Sequence, residues 1–211
     1  MKAPNGKPTN LTEKQWAQVR TKAFKKWFGD WEFAAKPVNV VRLMDRIGFK
    51  NFKEAREWAK GHIVGNVTNP EIGEVSISGT AIDKYLSGKA VGKSVSINDH
   101  LTVLQILPKL IEKAIVGETH ADREGDLNIK DIVRLYGAVN IDGNVERVKI
   151  TVKRYADKSN KTKAYSYEVK EIESLEGTLE TTHTQGADFV PTSNNSITAA
   201  KLLQNVESDK T

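Results

Sequence analysis

The chain has 211 residues, of which 38% are hydrophobic and 28% are charged, with a formal net charge of +5 and no cysteine. Such values are ordinary for a soluble globular protein with one sizeable domain and appendages, or with two small domains. The lack of cysteine excludes disulfides and cysteine-ligated zinc, while the small positive charge is compatible with a polyanionic partner. We find no apolar run of membrane-spanning length and no signal-peptide pattern, so we expect no membrane partner and a cytoplasmic site of action.

The first fifty residues predict a helical leader. Residues 1–10 are rich in Pro, Gly, Asn and Lys and indicate a flexible start. Thr12 and Gln15 fit a capping box, and apolar residues follow at helical spacing until Gly29, which favours a helix stop. After a proline, the mixed pattern of residues 38–47 predicts a second, short helix.

One stretch of this leader carries a resemblance. The segment NGKPTNLTEKQWAQVRTKAFKKWFGDWE resembles a recurring segment that precedes effector domains in the polyvalent proteins of phages and mobile elements. Related segments occur in toxin-like proteins of gut bacteria. The resemblance implies a genetic context and no particular chemistry, and we place the boundary of the leader at residue 50.

Short elements follow the leader. Asn51 and Glu54 fit a second capping box at the start of a helix. Residues 63–67 and 74–77 predict two short strands around an Asn-Pro turn, and Ser78 is placed to cap another helix.

The longest apolar helix starts at Asn98 or Asp99 and repeats leucine and isoleucine on one side. Pro108 should kink this helix or divide it in two. Residues 116–120 then predict a short strand at the edge of a sheet.

A β-hairpin is the strongest local prediction of the sequence. Asp142 and Gly143 lie between two β-rich runs and favour a two-residue type I′ turn. Counting outwards from Ile141 beside Asn144 pairs every later residue, and side chains alternate between the two faces. We expect the long helix to cover the aliphatic face, while the other face carries Arg134, Tyr136, Arg147, Lys149, Thr151 and Lys153.

Residues 163–172 predict a third strand that extends the hairpin into a meander. Its apolar side chains are expected to pair as Val148 with Val169, Ile150 with Tyr167 and Val152 with Tyr165. On the polar face, the same register places Ser166 beside Thr151 and Glu168 beside Lys149.

The C-terminal region predicts a loop and a helix. Residues 177–195 are rich in Gly, Thr, Gln and Asn without a hydrophobic period, which indicates a long loop. Ser196 starts a last helix, with Ala199, Leu202, Leu203 and Val206 on its packing side.

Four histidines are the first candidates for chemistry: His62, His100, His120 and His183. No pair of them has metal-ligand spacing, so we expect neither a metal nor another cofactor. His62, His100 and His183 are better explained as structural or exposed residues. His120 differs because it ends a predicted strand just before the meander, although simple exposure is an equally good explanation.

The polar face of the meander suits metal-free RNA cleavage. A base takes the proton of the 2′-hydroxyl, an acid protonates the leaving 5′ oxygen, and cations stabilise the phosphorane. The RNA supplies its own nucleophile, so no catalytic serine or cysteine is needed. Lysines and arginines on a sheet face also bind phosphate without any chemistry, and an ordinary solvated face is the other explanation.

A second resemblance covers the rest of the chain. The blocks EAREWAKGHIVGNV, GTAIDKYLSGKAVGKSVS, YGAVNIDGNVERVKITVKRY and KAYSYEVKEIE resemble a domain family of the same polyvalent proteins. That family is assigned to the barnase–EndoU–colicin E5/D–RelE-like nuclease superfamily. The resemblance implies an α+β fold over residues 51–207, with N-terminal helices followed by an antiparallel meander sheet and helices packed on one face.

The same resemblance implies residue roles. His120 would act as general base or acid, Lys149 and Lys153 would stabilise charge, and Thr151 and Ser166 would position the scissile phosphate. The remaining polar residues of the face are candidates for substrate binding: Arg134, Tyr136, Arg147 and Glu168.

We therefore expect a metal-independent endoribonuclease effector or toxin, whose products carry a 2′,3′-cyclic phosphate. Its partners would be RNA, with tRNA a frequent target of toxin members, and an immunity protein. The alternative is a catalytically inactive module that binds nucleic acid or protein. A third candidate, an ADP-ribosyltransferase-like domain, lacks the Arg…Ser-Thr-Ser…Glu-x-Glu order.

Overall fold

The computed structural model describes residues 8–28, 31–34, 37–43, 45–157, 161–172 and 196–203. Its helices are α1 (Glu13–Gln18), α2 (Lys22–Phe28), α3 (Trp31–Ala34), α4 (Phe52–His62), α5 (Gly79–Tyr85), α6 (Gly88–Val91), α7 (Ile97–Lys113) and α8 (Ala199–Leu203). Its strands are β1 (Pro37–Arg42), β2 (Gly65–Asn69), β3 (Gly73–Ile77), β4 (Ile115–His120), β5 (Ile129–Ile141), β6 (Asn144–Tyr155), β7 (Lys163–Glu171) and β8 (Ser196–Thr198). None of the helices in these ranges has the length and apolar character needed to cross a membrane.

The β5–β6 hairpin confirms the predicted register. Asp142 and Gly143 have φ angles of 51° and 96°, the left-handed pair that a type I′ turn requires. Ile141 pairs with Asn144, and the pairing continues without a slip as far as Asp131 beside Arg154. The Asp-Gly turn therefore determines which residues of both strands share a face.

The β6–β7 pairing follows the prediction only in part. Thr151 pairs with Ser166 as expected, but a β-bulge follows, and Val152 pairs with Ala164 where the sequence predicted Tyr165. The prediction for Tyr165 was wrong because one extra residue in β7 breaks the two-residue alternation. The small Ala164 is buried, while Tyr165 is 37% exposed.

The described strands form one largely antiparallel sheet in the order β2-β3-β7-β6-β5-β1-β8, with β4 also paired to β5. Only the β1–β5 and β3–β7 pairs are parallel. The helices and this sheet make an α+β fold, as predicted. The short strand expected at residues 116–120 is β4, and its edge position beside β5 is confirmed.

The region of residues 38–47 corrects the sequence analysis. It was predicted as a helix, but its first part is strand β1, in which Val40 lies beside Ala138 of β5. The branched side chains of valine lose rotamer freedom in a helix and fit a pleated surface, and Val38 and Val41 are buried. Ser196–Thr198, predicted as the start of a helix, is the edge strand β8.

Helix α7 covers the aliphatic face of the sheet, as predicted, and eight of its residues are buried. Ser96 caps it, two residues before the expected start, and Pro108 lies inside one continuous helix. His100 of α7 is fully buried, where its Nε2 lies 2.9 Å from the carbonyl of Tyr85 and its Nδ1 lies 2.8 Å from the hydroxyl of Ser94. This histidine therefore links the start of α7 to the end of α5.

The two predicted capping boxes differ. At α1, Thr12 and Gln15 form the reciprocal pair. At α4, Asn51 accepts from the backbone of Glu54, but the Glu54 carboxylate accepts from the backbone N–H of Lys50, one residue earlier than the motif requires. The predicted helix stop at Gly29, the loop at residues 177–195, Val206 and His183 lie outside the described residues.

A second core covers part of the polar face. It comprises Val38, Ile115, Tyr136, Ala138, Ala199 and Leu202 and lies on the sheet face opposite α7. Strand β1, from the N-terminal region, and helix α8, from the C-terminal region, thus meet over the turn-proximal part of the hairpin. The polar face remains accessible only towards the other end of β4–β7, which is where the candidate site lies.

Candidate active site

The accessible part of the polar face forms a cavity of about 330 Å³. Strands β4 and β5 contribute Glu118, His120, Ile132 and Arg134. Strands β6 and β7 contribute Lys149, Thr151, Lys153, Ser166 and Glu168. The structure thus brings together the five residues predicted as catalytic and two of the four predicted for substrate binding. The roles of these seven residues stay predictions.

Loop residues form the wall of the cavity. Asp122, Arg123 and Glu124 follow β4 directly, and Lys93 comes from the segment after α6. With the sheet residues, the cavity has five lysines or arginines against four carboxylates, besides His120. The near balance of charge makes this a mixed polar cavity, in which an anion must be bound by particular cations and not by a general positive potential.

Two cross-strand contacts organise the floor. Lys149 Nζ lies 2.9 Å from Glu168 Oε1, and their side chains are 14% and 15% exposed. The Arg134 guanidinium donates to the hydroxyl of Thr151, directly across β5 and β6. The turn at Asp142 and Gly143 sets the register that places Arg134 beside Thr151, and the separate β6–β7 register places Lys149 beside Glu168 on the same face.

The orientation of His120 is set by its own loop. Its Nδ1 lies 2.8 Å from the carbonyl oxygen of Ala121. A carbonyl only accepts hydrogen bonds, so Nδ1 carries the hydrogen and the neutral ring keeps its lone pair on Nε2. The half-buried imidazole can therefore accept a catalytic proton at Nε2 and, once protonated, can donate it from the same atom.

Glu118 is a cavity residue that the sequence analysis did not name. It precedes His120 by two positions on β4, and it pairs with Arg134, whereas His120 pairs with Ile132. Residues two apart on a strand share a face at about 7 Å between their Cα atoms. The alternation along the predicted strand would have found Glu118, because any residue two positions from His120 must face the same way.

Tyr165 is the second residue that was missed. The bulge turns its ring to the cavity side, where Lys153 Nζ lies 4.4 Å and Lys84 Nζ lies 4.3 Å from the ring centroid. Both distances are in the range of cation–π contacts. The sequence held no signal for this position, because regular alternation assigned Tyr165 to the aliphatic face.

Tyr136 and Arg147, both predicted to bind substrate, do not line the cavity. Tyr136 is fully buried in the second core and Arg147 is 6% exposed, with its guanidinium 5.9 Å from the ring of Tyr136. They occupy the predicted face of the hairpin, but the segments from β1 and α8 cover that part of it. We therefore leave both residues out of the proposed site.

The other described histidines have structural surroundings. His62 stacks on Trp58 at 4.6 Å, and its Nδ1 lies 2.7 Å from the Trp58 carbonyl. Burial lowers the pKa of His100 to about 4. Within the described residues, no group of three or more His, Asp or Glu side chains is placed to hold a metal ion.

Comparison with known proteins returns one family. The model described as large polyvalent protein-associated domain 3 matches residues 49–165, which is more than half of the chain. The matched range contains all of the cavity residues named above except Ser166 and Glu168. No curated protein and no solved structure matches the chain.

Proposed function

The chain belongs to the large polyvalent protein-associated domain 3 family, and we propose that its cavity cleaves RNA by metal-independent transesterification. The observation that supports this most is the presence of His120, Glu118, Arg134 and Lys149 in one cavity on an accessible sheet face. These side chains match what the reaction needs: two groups that exchange protons, and cations for the phosphorane. The reaction would take place in a bacterial cytoplasm.

Glu118 and His120 are the proposed proton-transfer pair. The Glu118 carboxylate takes the proton of the 2′-hydroxyl, whose oxygen attacks the adjacent phosphorus. His120 enters the reaction in its protonated, imidazolium form, and its Nε2 gives a proton to the departing 5′ oxygen, which leaves a 2′,3′-cyclic phosphate, a 5′-hydroxyl and a neutral imidazole. Glu168 suits the first role less well, because counting strands and residues puts its Cα about 20 Å from that of His120.

Arg134 is the proposed main contact of the phosphorane, because it lies between the proton-transfer pair and Thr151. Lys149 and Lys153 flank it on β6 and would stabilise the remaining charge. Thr151 and Ser166 are neighbours across β6 and β7 and would orient the non-bridging oxygens. Lys149 contacts Glu168, so a bound phosphate must share this lysine with the carboxylate.

Incubation of the purified protein with total tRNA in EDTA tests the proposal. We expect discrete fragments with a 2′,3′-cyclic phosphate at one end and a 5′-hydroxyl at the other. His120→Ala should abolish the fragments, while the matched control His62→Ala, which removes an imidazole outside the cavity, should not. Intact tRNA over a wide range of protein concentration would overturn the proposal.

The second candidate is a module that binds nucleic acid without cleaving it. The Lys149–Glu168 contact favours this candidate, because it already neutralises Lys149, one of the cations proposed to stabilise the phosphorane. Expression in a bacterium separates the candidates. A nuclease should be toxic unless His120 is replaced or an immunity protein is present, whereas a binding module should be tolerated in every form.

A further inference from the structure

A second cavity adjoins the proposed active site. It also measures about 330 Å³, and it shares Lys93, Glu124, Tyr165, Ser166 and Glu168 with the first cavity. Its other side is formed by the α5–α6 segment, which contributes Lys84, Ser87 and Lys89. A volume of this size is at the lower end of the range for small-ligand sites and suits one nucleotide.

Tyr165 lines both cavities. The residue is 37% exposed, although an aromatic residue on a sheet is usually covered by a neighbouring element. The β6–β7 bulge is what turns the ring outwards, and such bulges often redirect a side chain beside a functional site. The ring therefore offers an aromatic surface to whatever occupies the two cavities.

The second cavity, like the first, has one more cationic side chain than it has carboxylates. Lys84, Lys89 and Lys93 face two carboxylates, Glu124 and Glu168. All three lysines are exposed, and within the described part of the chain none of them forms an ion pair. Lys84 contacts the Tyr165 ring, as Lys153 does from the first cavity. The ring thus has an ammonium group from each cavity close to it.

We propose that the second cavity is a nucleotide subsite for single-stranded RNA, an inference that rests on the proposed function for the identity of the polymer. One base stacks on Tyr165, displacing one of the two lysines, and the flanking phosphates contact Lys84, Lys89 and Lys93. Aromatic stacking combined with lysines along the backbone is how proteins bind single strands without reading sequence. A duplex is excluded, because its bases are stacked on one another and cannot reach the ring.

Fluorescence anisotropy with a short 2′-O-methyl oligoribonucleotide tests the subsite. This probe lacks the 2′-hydroxyl nucleophile, so the wild-type chain binds it without cleaving it. We expect the single strand to bind at least about fivefold more tightly than the same strand in a duplex. Tyr165→Ala should weaken binding about fivefold or more, and Tyr165→Phe should retain it. Equal affinity of Tyr165→Ala and wild type, or equal affinity for strand and duplex, would overturn the proposal.

Tyr165→Leu separates stacking from folding. It keeps apolar bulk at the bulge but has no aromatic face, so it should bind as weakly as Tyr165→Ala while unfolding like the wild type. Recovery of wild-type affinity by leucine would overturn the stacking role.

Salt dependence tests the lysines separately. The Lys84→Gln/Lys89→Gln variant should lower the slope of log K against log salt by about 0.7 for each phosphate contact that is lost. Lys109→Gln, which changes an exposed lysine on α7, is the matched control and should leave the slope unchanged. An unchanged slope in the double variant would overturn the phosphate contacts.

The experiments distinguish a failure of the subsite proposal from a failure of the cleavage proposal. If the wild type binds the probe through Tyr165 but leaves tRNA intact, the cleavage proposal fails and the subsite stands. If the wild type cuts tRNA while Tyr165→Ala binds the probe equally well, the subsite fails and the cleavage proposal stands.

Discussion

Lys149 Nζ lies 2.9 Å from Glu168 Oε1, on neighbouring strands and with both side chains mostly buried. The contact connects strands β6 and β7 of the cavity floor and holds a cation at the proposed phosphate position. Its strength affects both the stability of the sheet and the affinity of the cavity for anions.

Removing one partner of this contact should cost more than removing both. Lys149→Met leaves the Glu168 carboxylate in a mostly buried position without its cation, so we expect a loss of about 1–3 kcal/mol in the free energy of unfolding. Lys149→Met/Glu168→Leu should recover most of that loss. Urea denaturation of the wild type, the two single variants and the double variant measures the coupling, and additive effects would show that the contact contributes nothing.

The proton-transfer pair predicts matched losses of activity. Glu118→Gln and His120→Ala should each reduce tRNA cleavage about 10²- to 10⁴-fold, because each removes a group that moves a proton in the transition state. The double variant should be little worse than either single variant, since the two groups act as a unit. Glu168→Gln is the control, because it changes another carboxylate of the same cavity. A larger loss of activity in Glu168→Gln than in Glu118→Gln would overturn the assignment of Glu118 as the base.

Glu146 predicts that the protein loses stability at high pH. Burial, followed by the charges of Asp99 and Glu171, raises the pKa of Glu146 to about 7. Among the described residues its Oε2 has no hydrogen-bond partner. A raised pKa means that the folded state favours the protonated form, so its stabilisation is complete below about pH 4.5 and is lost as pH rises through about 7.

Glu146→Gln should therefore stabilise the protein at pH 8 by on the order of 1–3 kcal/mol and should have no effect near pH 4. Urea unfolding at the two pH values measures the difference. Glu171→Gln, on the exposed neighbour, should give a smaller gain because it removes only one of the causes of the shift. An unchanged stability of Glu146→Gln at pH 8 would contradict the prediction.

The buried His100 predicts the opposite dependence of stability on pH. Its pKa is lowered from 6.5 to about 4, first because of burial, and the neutral ring donates to the Tyr85 carbonyl. The unfolded chain takes up the proton first on acidification, so the stabilisation is complete above about pH 6.5 and is lost as pH falls towards about 4.

Between pH 7 and pH 5 the loss from His100 should be about 2 kcal/mol. His100→Gln, which cannot titrate, should be less stable at pH 7 but should lose less stability on going to pH 5. His62→Ala should follow the wild type, and the same pH slope in His100→Gln and wild type would refute the assignment.

Gly117 allows the second core to form. A Cβ at this position would lie 2.5 Å from the ring of Tyr136, so even alanine would displace the ring. We expect Gly117→Ala to lower the free energy of unfolding by about 1–3 kcal/mol. Gly61 in α4 has nothing within 4 Å of its added Cβ, so Gly61→Ala should be neutral or slightly stabilising. Thermal unfolding of the two variants compares them directly.

The register of the meander was predictable for a local reason. Asp142 and Gly143 accept positive φ angles, and a two-residue turn fixes the pairing of both strands by counting. Alternation then placed Arg134 beside Thr151, and Lys149 beside Glu168, on one face. The position of helix α7 over the aliphatic face was predicted from the spacing of its leucines.

The extent of the site depended on contacts between distant parts of the chain. Alternation places Tyr136 and Lys149 on the same face, but the meeting of β1 and α8 over the sheet decides that Tyr136 lies in the second core whereas Lys149 lines the cavity. The bulge before Val152 likewise has no local signal, because it depends on how β7 packs between β6 and β3. Strand geometry is local, so the order of residues predicts which side chains share a face, but access to those side chains depends on packing between segments that are far apart in the chain.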